Sequence, residues 1–83
     1  MTKYLVDVYV PAIDTHYDVW LPAGKTIIEV TQLLKTMIPS LSEDSYRGSE
    51  ETLLIDALSG NYLNPQGTIY DVGIRNASKL ILI

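Results

Sequence analysis

Few residues in this chain are suited to catalysis or to metal binding. The 83 residues include no cysteine and a single histidine, His16, which lies between Asp14 and Asp18. A metal centre needs several convergent ligands, and acid–base catalysis needs a partner held beside the imidazole. A Ser-His-Asp triad would also need an activated hydroxyl held beside His16 on a small loop. We therefore interpret His16 as a structural or exposed residue, and we predict no catalytic residue, no metal and no cofactor.

A second group of charges lies in the middle of the chain. Four carboxylates, Glu43, Asp44, Glu50 and Glu51, flank Arg47 in a polar stretch. Charge runs of this kind are usually solvated loops. The alternative is a recognition loop for a basic partner, and nothing else in the stretch favours it.

The overall charge and hydropathy limit the classes of function. The net charge is -4 without a cluster of Lys and Arg, whereas nucleic-acid binders usually show a basic surface. No apolar run approaches the ~20 residues that a membrane-spanning helix needs. Asp7 interrupts the region where a signal peptide would be apolar. We expect one cytoplasmic domain over residues 1–83 that neither binds nucleic acid nor inserts into a membrane.

Two segments near the start have the composition of strands. Residues 4–10 and 17–21 are rich in β-branched and aromatic side chains. Because an unpaired carboxylate is costly in an apolar core, Asp7 and Asp18 should face water and set the alternation of the side chains. The side chains predicted to face inward are Tyr4, Val6, Val8, Val10, Tyr17, Val19 and Leu21. Those predicted to face outward are Leu5, Tyr9 and Trp20.

A hairpin is expected to connect these two strands. Residues 11–16 contain Pro11 and Asp14, which are typical of turns. Pairing of Val10 with Tyr17 would place the inward side chains of the two strands opposite each other, so this register is self-consistent.

The next segment has the pattern of an amphipathic helix. Thr26 followed by Glu29 forms a capping box, and Pro39 is expected to end the helix near Ile38. Ile28 falls on the polar side, where we interpret it as a single exposed apolar residue. The predicted apolar stripe consists of Ile27, Val30, Leu33, Leu34, Met37 and Ile38.

The rest of the chain contains shorter elements. We predict an irregular polar segment at residues 40–51, a third strand at 52–58 and a short fourth strand at 62–63. Residues 68–74 should form a helical turn, and residues 79–83 should form a last strand. Strands accompanied by one helix predict an α+β fold, in which the helix packs across one face of a mixed sheet and leaves the other face free.

The facing of the third and last strands follows from the same reasoning. Placing Asp56 towards water turns Leu53, Ile55 and Ala57 inward, although a bulge would reverse this phase. In the last strand, Leu80 and Leu82 are expected to face inward. The outward residues of the two strands are then Leu54, Leu58, Ile81 and Ile83.

Several stretches carry the pattern of a known family. They are Thr26-Ile27-Ile28-Glu29-Val30, Leu58-Ser59-Gly60-Asn61-Tyr62-Leu63, Gly67-Thr68-Ile69-Tyr70-Asp71-Val72-Gly73-Ile74 and Asn76-Ala77-Ser78-Lys79-Leu80-Ile81-Leu82. They resemble the helix start of ubiquitin, its Gly turn and short strand, its Thr-Leu-x-Asp-x-x-Ile turn, and its last strand. The resemblance implies a ubiquitin-like β-grasp fold, in which the first and last strands are central neighbours.

Within this superfamily the chain resembles the YukD/EsaB family in its length, in the early aromatic hairpin with Pro11 and in ending with the last strand. That resemblance implies a non-catalytic interaction component of a bacterial type VII (Yuk/Ess) secretion system, cytoplasmic and peripheral to the membrane secretion complex. Conjugation needs a flexible Gly-Gly tail, whereas this sequence ends in Leu82-Ile83, so conjugation is not expected. The alternatives are a ubiquitin-like carrier or modifier and a regulatory adaptor unrelated to secretion.

The helix-free face of the predicted sheet is the candidate site. Exposed apolar patches beyond a few hundred Å² mark interaction surfaces, and Trp and Tyr are frequent anchors there. Ubiquitin docks its partners on the corresponding face, so the resemblance points the same way. We predict a surface for protein partners, either secretion-machine subunits or a second copy; the alternative is that long neighbouring side chains cover it. The predicted binding residues are Leu5, Tyr9, Trp20, Leu54, Leu58, Ile81 and Ile83.

Overall fold

Four strands and one helix are present in the computed structural model, which describes residues 2–41 and 52–83. In chain order they are β1 (Lys3–Val10), β2 (Thr15–Pro22), α1 (Ile27–Leu41), β3 (Leu54–Asp56) and β4 (Lys79–Leu82). The sheet has the order β2-β1-β4-β3, with β1 parallel to β4 and the other neighbours antiparallel. The predicted mixed sheet and the central position of the first and last strands are confirmed. The acidic residues Glu43, Asp44, Glu50 and Glu51, with Arg47 and most of the predicted irregular segment, lie outside the described residues.

The hairpin between β1 and β2 is tighter than predicted. Val10 lies opposite Thr15, so the predicted pairing of Val10 with Tyr17 is wrong by two residues. The loop is short because a 3₁₀ turn, Pro11–Ile13, is followed by Asp14 in the left-handed conformation (φ 47°). Aspartate tolerates this conformation. Since the shift is an even number of residues, both strands keep their predicted faces.

The core lies between α1 and the inner face of the sheet, as predicted from the positions of Asp7 and Asp18. Each fully buried Leu, such as Leu21 or Leu34, contributes about 1.5–3 kcal/mol of transfer free energy. Tyr4 and Tyr17 are half-buried and pack against the same cluster. The buried hydrophobic residues of β1, β2, β4 and α1 are Val6, Val8, Val10, Val19, Leu21, Ile27, Val30, Leu34, Ile38, Leu80 and Leu82.

Thr26 and Glu29 form the predicted capping box at the start of α1. The N–H of Thr26 donates to Oε1 of Glu29 (3.1 Å), and the N–H of Glu29 donates to Oγ1 of Thr26 (3.2 Å). These bonds satisfy two backbone donors at the helix start. The bond from the N–H of Thr26 is also the main cause that lowers the pKa of the Glu29 carboxyl, because the charged carboxylate is the better acceptor.

The end of α1 differs from the prediction. The helix passes through Pro39 and ends at Leu41 rather than near Ile38. Proline is costly in a helix interior because it lacks an N–H and crowds the preceding turn. Pro39 lies in the last turn, where only two helical residues follow it, and directly after Ile38, which is fully buried in the core.

The buried stripe of α1 is displaced from the predicted one. Leu33 is 44% exposed, because it lies about 120° around the helix from the centre of the buried side chains. Thr31 is buried instead, and its hydroxyl donates to the carbonyl of Ile27 (2.8 Å), so its polar atom is satisfied. Ile28 is exposed, as predicted.

The third strand is shorter than predicted and has the opposite phase. Leu54 is 2% exposed and packs in the core, whereas Leu53, predicted inward, is 45% exposed. Asp56 is a poor marker of phase, because its carboxylate accepts a bond from the hydroxyl of Ser59 (2.9 Å) and closes the next turn. A carboxylate with a local donor has no need to lie on the water-facing side of a strand.

The segments after β3 are turns with a few anchoring contacts. Ala57 and Leu58 belong to an exposed turn, so the inward position predicted for Ala57 is wrong. In place of a fourth strand at residues 62–63, Tyr62 forms an isolated bridge with Ile55. The predicted helical turn at residues 68–74 is confirmed by short-range backbone bonds, and it contributes two buried isoleucines to the core, Ile69 and Ile74.

Candidate functional site

The candidate site is the sheet face opposite α1. Because the strands are in register, the side chains on this face form rows that cross the sheet. From one end to the other, the rows are Leu5 and Trp20; Asp7, Asp18 and Lys79; His16, Tyr9, Ile81 and Ile55; and Leu53 with Ile83. The second row is charged, so the apolar surface is divided into two ends rather than forming one continuous patch.

The first part, which we call the Trp20 end, consists of Leu5 and Trp20. Trp20 is 59% exposed and Leu5 is 36% exposed, as their predicted outward positions require. A shallow depression beside them also includes Asp18, Ala77 and Lys79 in its lining. The Trp20 end therefore offers an indole surface next to a charged row.

The second part, the polar row, consists of Asp7, Asp18 and Lys79. The carboxylate of Asp7 contacts Nδ1 of His16 at 3.0 Å. Asp18 lies directly opposite Asp7, and it forms no hydrogen bond or ion pair with any described residue. Like charges at directly opposite positions repel each other. The row therefore has a carboxylate available to a cation from outside the chain.

Tyr9 is less available than predicted, because its ring and its hydroxyl both have partners. The ring stacks on that of His16, with centroids 4.5 Å apart. The hydroxyl donates to Oδ1 of Asp14 (2.7 Å), and this bond is the main cause that raises the pKa of Tyr9. Tyr9 therefore joins the hairpin turn to the sheet face, and it is a half-buried neighbour of the polar row rather than a free anchor.

The third part, the Ile81 end, consists of Leu53, Ile55, Ile81 and Ile83. Leu53 and Ile83 are 45% and 48% exposed, whereas Ile55 and Ile81 are half-buried. The predicted outward positions of Ile81 and Ile83 are therefore correct. This end is apolar and carries no charged side chain of its own.

Two residues predicted for this surface lie elsewhere. Leu54 is in the core, since the phase of β3 is reversed, and Leu58 is 86% exposed in the turn after β3 rather than in a strand. Leu53 and Ile55 take their place on the face. The sequence does not indicate which of these side chains face the core, because Leu53, Leu54 and Ile55 are all apolar and show no alternation.

The described part of the chain contains no group of three or more His, Cys, Asp or Glu that could hold a metal ion. Within the same residues, no helix is long and apolar enough to cross a bilayer. His16, the candidate for chemistry in the sequence, is exposed and held between Asp7 and the ring of Tyr9. The arrangement is suited to binding through apolar and charged side chains.

Comparison with known proteins identifies the fold. No family model matches the sequence, and no curated protein matches it. The ubiquitin-like domain of the Mycobacterium tuberculosis type VII secretion system protein ECCD1 has a TM-score of 0.77 at 16% identity, with 100% of this chain and 99% of that chain covered. A chain of the MycP5-free ESX-5 inner membrane complex has a TM-score of 0.81 at 15% identity; all of this chain is covered, but only 21% of that chain.

A third similar structure is the ubiquitin of Caldiarchaeum subterraneum. Its TM-score is 0.72 at 14% identity, with 99% of this chain and 92% of that chain covered. At such low identities the likeness concerns the fold. The chain has the ubiquitin-like β-grasp fold, as the sequence motifs predicted.

Proposed function

We propose that this protein is a non-catalytic protein-interaction module, and that it binds its partner through the helix-free face of the sheet. The observation that carries the proposal is Trp20, which is 59% exposed beside Leu5 in the middle of an ordered strand. Large aromatic side chains exposed on a rigid surface are typical anchors of protein interfaces. A strand holds such an anchor in place without the entropy cost of ordering a loop.

We further propose a role in a type VII secretion system, like that of YukD/EsaB proteins. Two of the similar structures support it, since one is a domain of a type VII secretion protein and the other belongs to the ESX-5 inner membrane complex. In this proposal the protein is cytoplasmic and associates peripherally with a membrane complex through subunits of the secretion machine. A regulatory adaptor unrelated to secretion would use the same face but a different partner.

A substitution at Trp20 tests the binding face. Trp20→Asp places a charge at the Trp20 end while leaving the buried neighbours of β2 unchanged. We expect it to weaken binding to the cytosolic domains of type VII secretion subunits by about thirtyfold, as loss of a hot spot worth about 2 kcal/mol would do. Binding is measured by titration calorimetry, and folding by circular dichroism.

Ile28→Asp provides the matched control. Ile28 is 45% exposed on α1, away from the sheet face, and a carboxylate in the first turn of a helix is compatible with the helix dipole. This variant should fold and bind like the wild type. Unfolding of Trp20→Asp would show that Trp20 belongs to the core, and equal binding by Trp20→Asp and Ile28→Asp would contradict the proposed face.

A further inference from the structure

The outer edge of β2 has backbone hydrogen-bonding groups that no described residue uses. β2 is the first strand in the sheet order, so β1 is its only strand neighbour among the described residues. In an antiparallel pair, alternate residues direct their N–H and C=O groups to the neighbour, and the residues between them direct theirs away. The N–H of Ala23 donates to the carbonyl of Thr2 (2.9 Å), which fixes this alternation along the hairpin.

The alternation leaves His16, Asp18 and Trp20 with outward-directed backbone groups. Their partners in the register are Tyr9, Asp7 and Leu5 of β1, and the backbone of β1 at Leu5 and Asp7 bonds to residues 77 and 78 instead. The same three residues of β2 carry their side chains on the helix-free face, since both properties alternate with a period of two. An added strand would therefore meet a row of free donors and acceptors and, on one face, the polar row and the Trp20 end.

This edge has little of the protection that natural edge strands usually have. Charged side chains, especially lysine, and also proline, bulges and covering loops commonly prevent pairing with a further strand. β2 is 8 residues long, has Asp18 as its one acidic residue, carries no lysine, and contains one proline, Pro22, at its end. Among residues 2–41 and 52–83, nothing pairs with the outer edge of the segment from His16 to Trp20.

A second copy of the chain is a poor occupant of this edge. In the symmetric antiparallel register that uses all three free residues, Asp18 of one copy would lie directly opposite Asp18 of the other. Like charges at such positions are destabilising. Asp18 therefore opposes self-pairing at this edge.

The same carboxylate favours a basic occupant. Asp18 forms no ion pair with a described residue, since Lys79 of the same row pairs in register with Asp7 of β1 rather than with Asp18. Asp18 lies opposite Asp7, whose carboxylate is already in contact with His16. A Lys or Arg of an added strand, placed opposite Asp18, would gain an ion pair and relieve the repulsion between the two carboxylates. The net charge of -4 favours the approach of a basic segment in the same way.

From these observations we infer that β2 is a docking edge for an extended basic segment of a partner protein, which joins the sheet as an additional strand. Its Lys or Arg lies opposite Asp18, and an apolar residue two positions away lies against Trp20. This inference rests on the proposed function, because it uses the Trp20 end of the same face. The inference adds two points to that function: the partner segment is basic, and its backbone pairs with β2. Docking through side chains alone requires neither.

The first test is selection from a displayed library of random peptides of about seven residues, slightly longer than an average strand. We expect the peptides enriched by the wild-type protein to share a basic residue two positions from an apolar one. Asp18→Lys should weaken binding of the best peptide at least tenfold, and changing its basic residue to Glu should restore binding to that variant. Absence of enrichment, or equal binding by Asp18→Lys, would overturn the inference.

The second test is amide hydrogen exchange by NMR with and without that peptide. In the free protein, the amides of His16, Asp18 and Trp20 should exchange quickly, while those of Tyr17 and Val19 are protected by β1. The peptide should slow exchange at the three edge amides at least tenfold. If Trp20→Asp abolishes binding but the edge amides are not protected, side-chain docking stands and strand addition is wrong. A wild-type dimer with protected edge amides would also overturn the inference.

Discussion

The two ends of the helix-free face differ in what surrounds their apolar side chains. The Trp20 end lies beside an open strand edge and an unpaired carboxylate, Asp18. The Ile81 end spans β4 and β3; β4 is paired on both sides, and β3 is bridged to Tyr62 through Ile55. Both ends expose apolar area, but only the first combines it with free backbone groups and a charge. Apolar area alone gives little specificity, whereas a charge and a hydrogen-bonding edge select the sequence of the partner.

Beside the Ile81 end, core and surface residues alternate along the chain, so neighbouring substitutions should differ strongly in their effect on stability. Leu54→Ala should lower the free energy of unfolding by about 2–5 kcal/mol, because it leaves a cavity among fully buried side chains. Leu53→Ala is the matched control, and it should cost less than about 1 kcal/mol, since Leu53 is 45% exposed. Urea unfolding measures both. Similar losses in the two variants would contradict the phase of β3 described above.

Removing one anchor from each end tests which end contacts the partner. Trp20→Ala should weaken binding to the secretion-subunit domains by about tenfold or more, whereas Ile83→Ala should weaken it by about threefold or less. Titration calorimetry on the same domain measures both constants. A larger loss for Ile83→Ala would assign the partner to the Ile81 end instead.

The smallest expected effect lies between the two ends, at Tyr9. Its pKa is raised above the ordinary value of 10.0, chiefly by the hydrogen bond to Asp14, so the fold favours the protonated hydroxyl. The stabilisation of the fold by this bond is fully present below the pKa that Tyr9 has in the unfolded chain. It is lost as the pH rises through the higher pKa that Tyr9 has in the folded protein. Asp14→Asn should move the ultraviolet titration of Tyr9 towards lower pH. An unchanged titration would show that the bond does not persist in solution.

The predictions are correct where a long element contains several residues that independently indicate its type and its buried face. In β1 and β2, Asp7 and Asp18 each lie within an alternating run of eight residues, so one charged side chain fixes many apolar ones. The shorter loop did not matter, because the register moved by an even number of residues. The capping box was equally readable, since both of its members are local in sequence.

The predicted faces are wrong where a local hydrogen bond, which hydrophobic periodicity does not reveal, determines the position of a residue. The carboxylate of Asp56 accepts a hydrogen bond from Ser59 in the following turn. Its position therefore does not indicate which side chains of the three-residue strand β3 face water. Thr31 is buried because its hydroxyl reaches a backbone carbonyl of its own helix, and Leu33 is displaced to the surface. Periodicity could place Asp7 and Asp18 on the helix-free face but not Lys79, because the parallel pairing of β1 with β4 is what brings Lys79 beside Asp7.

That parallel pairing also affects the order in which the domain is able to fold during synthesis. β4 lies between β1 and β3, so until residues 79–82 have left the ribosome, the hairpin has no further strand and β3 has only its bridge to Tyr62. The nascent chain must therefore hold an amphipathic helix and an incomplete sheet until almost the whole domain has been translated. Contacts this distant in sequence carry a larger loop-closure cost, and the apolar face of α1 lacks Leu80 and Leu82 until they form.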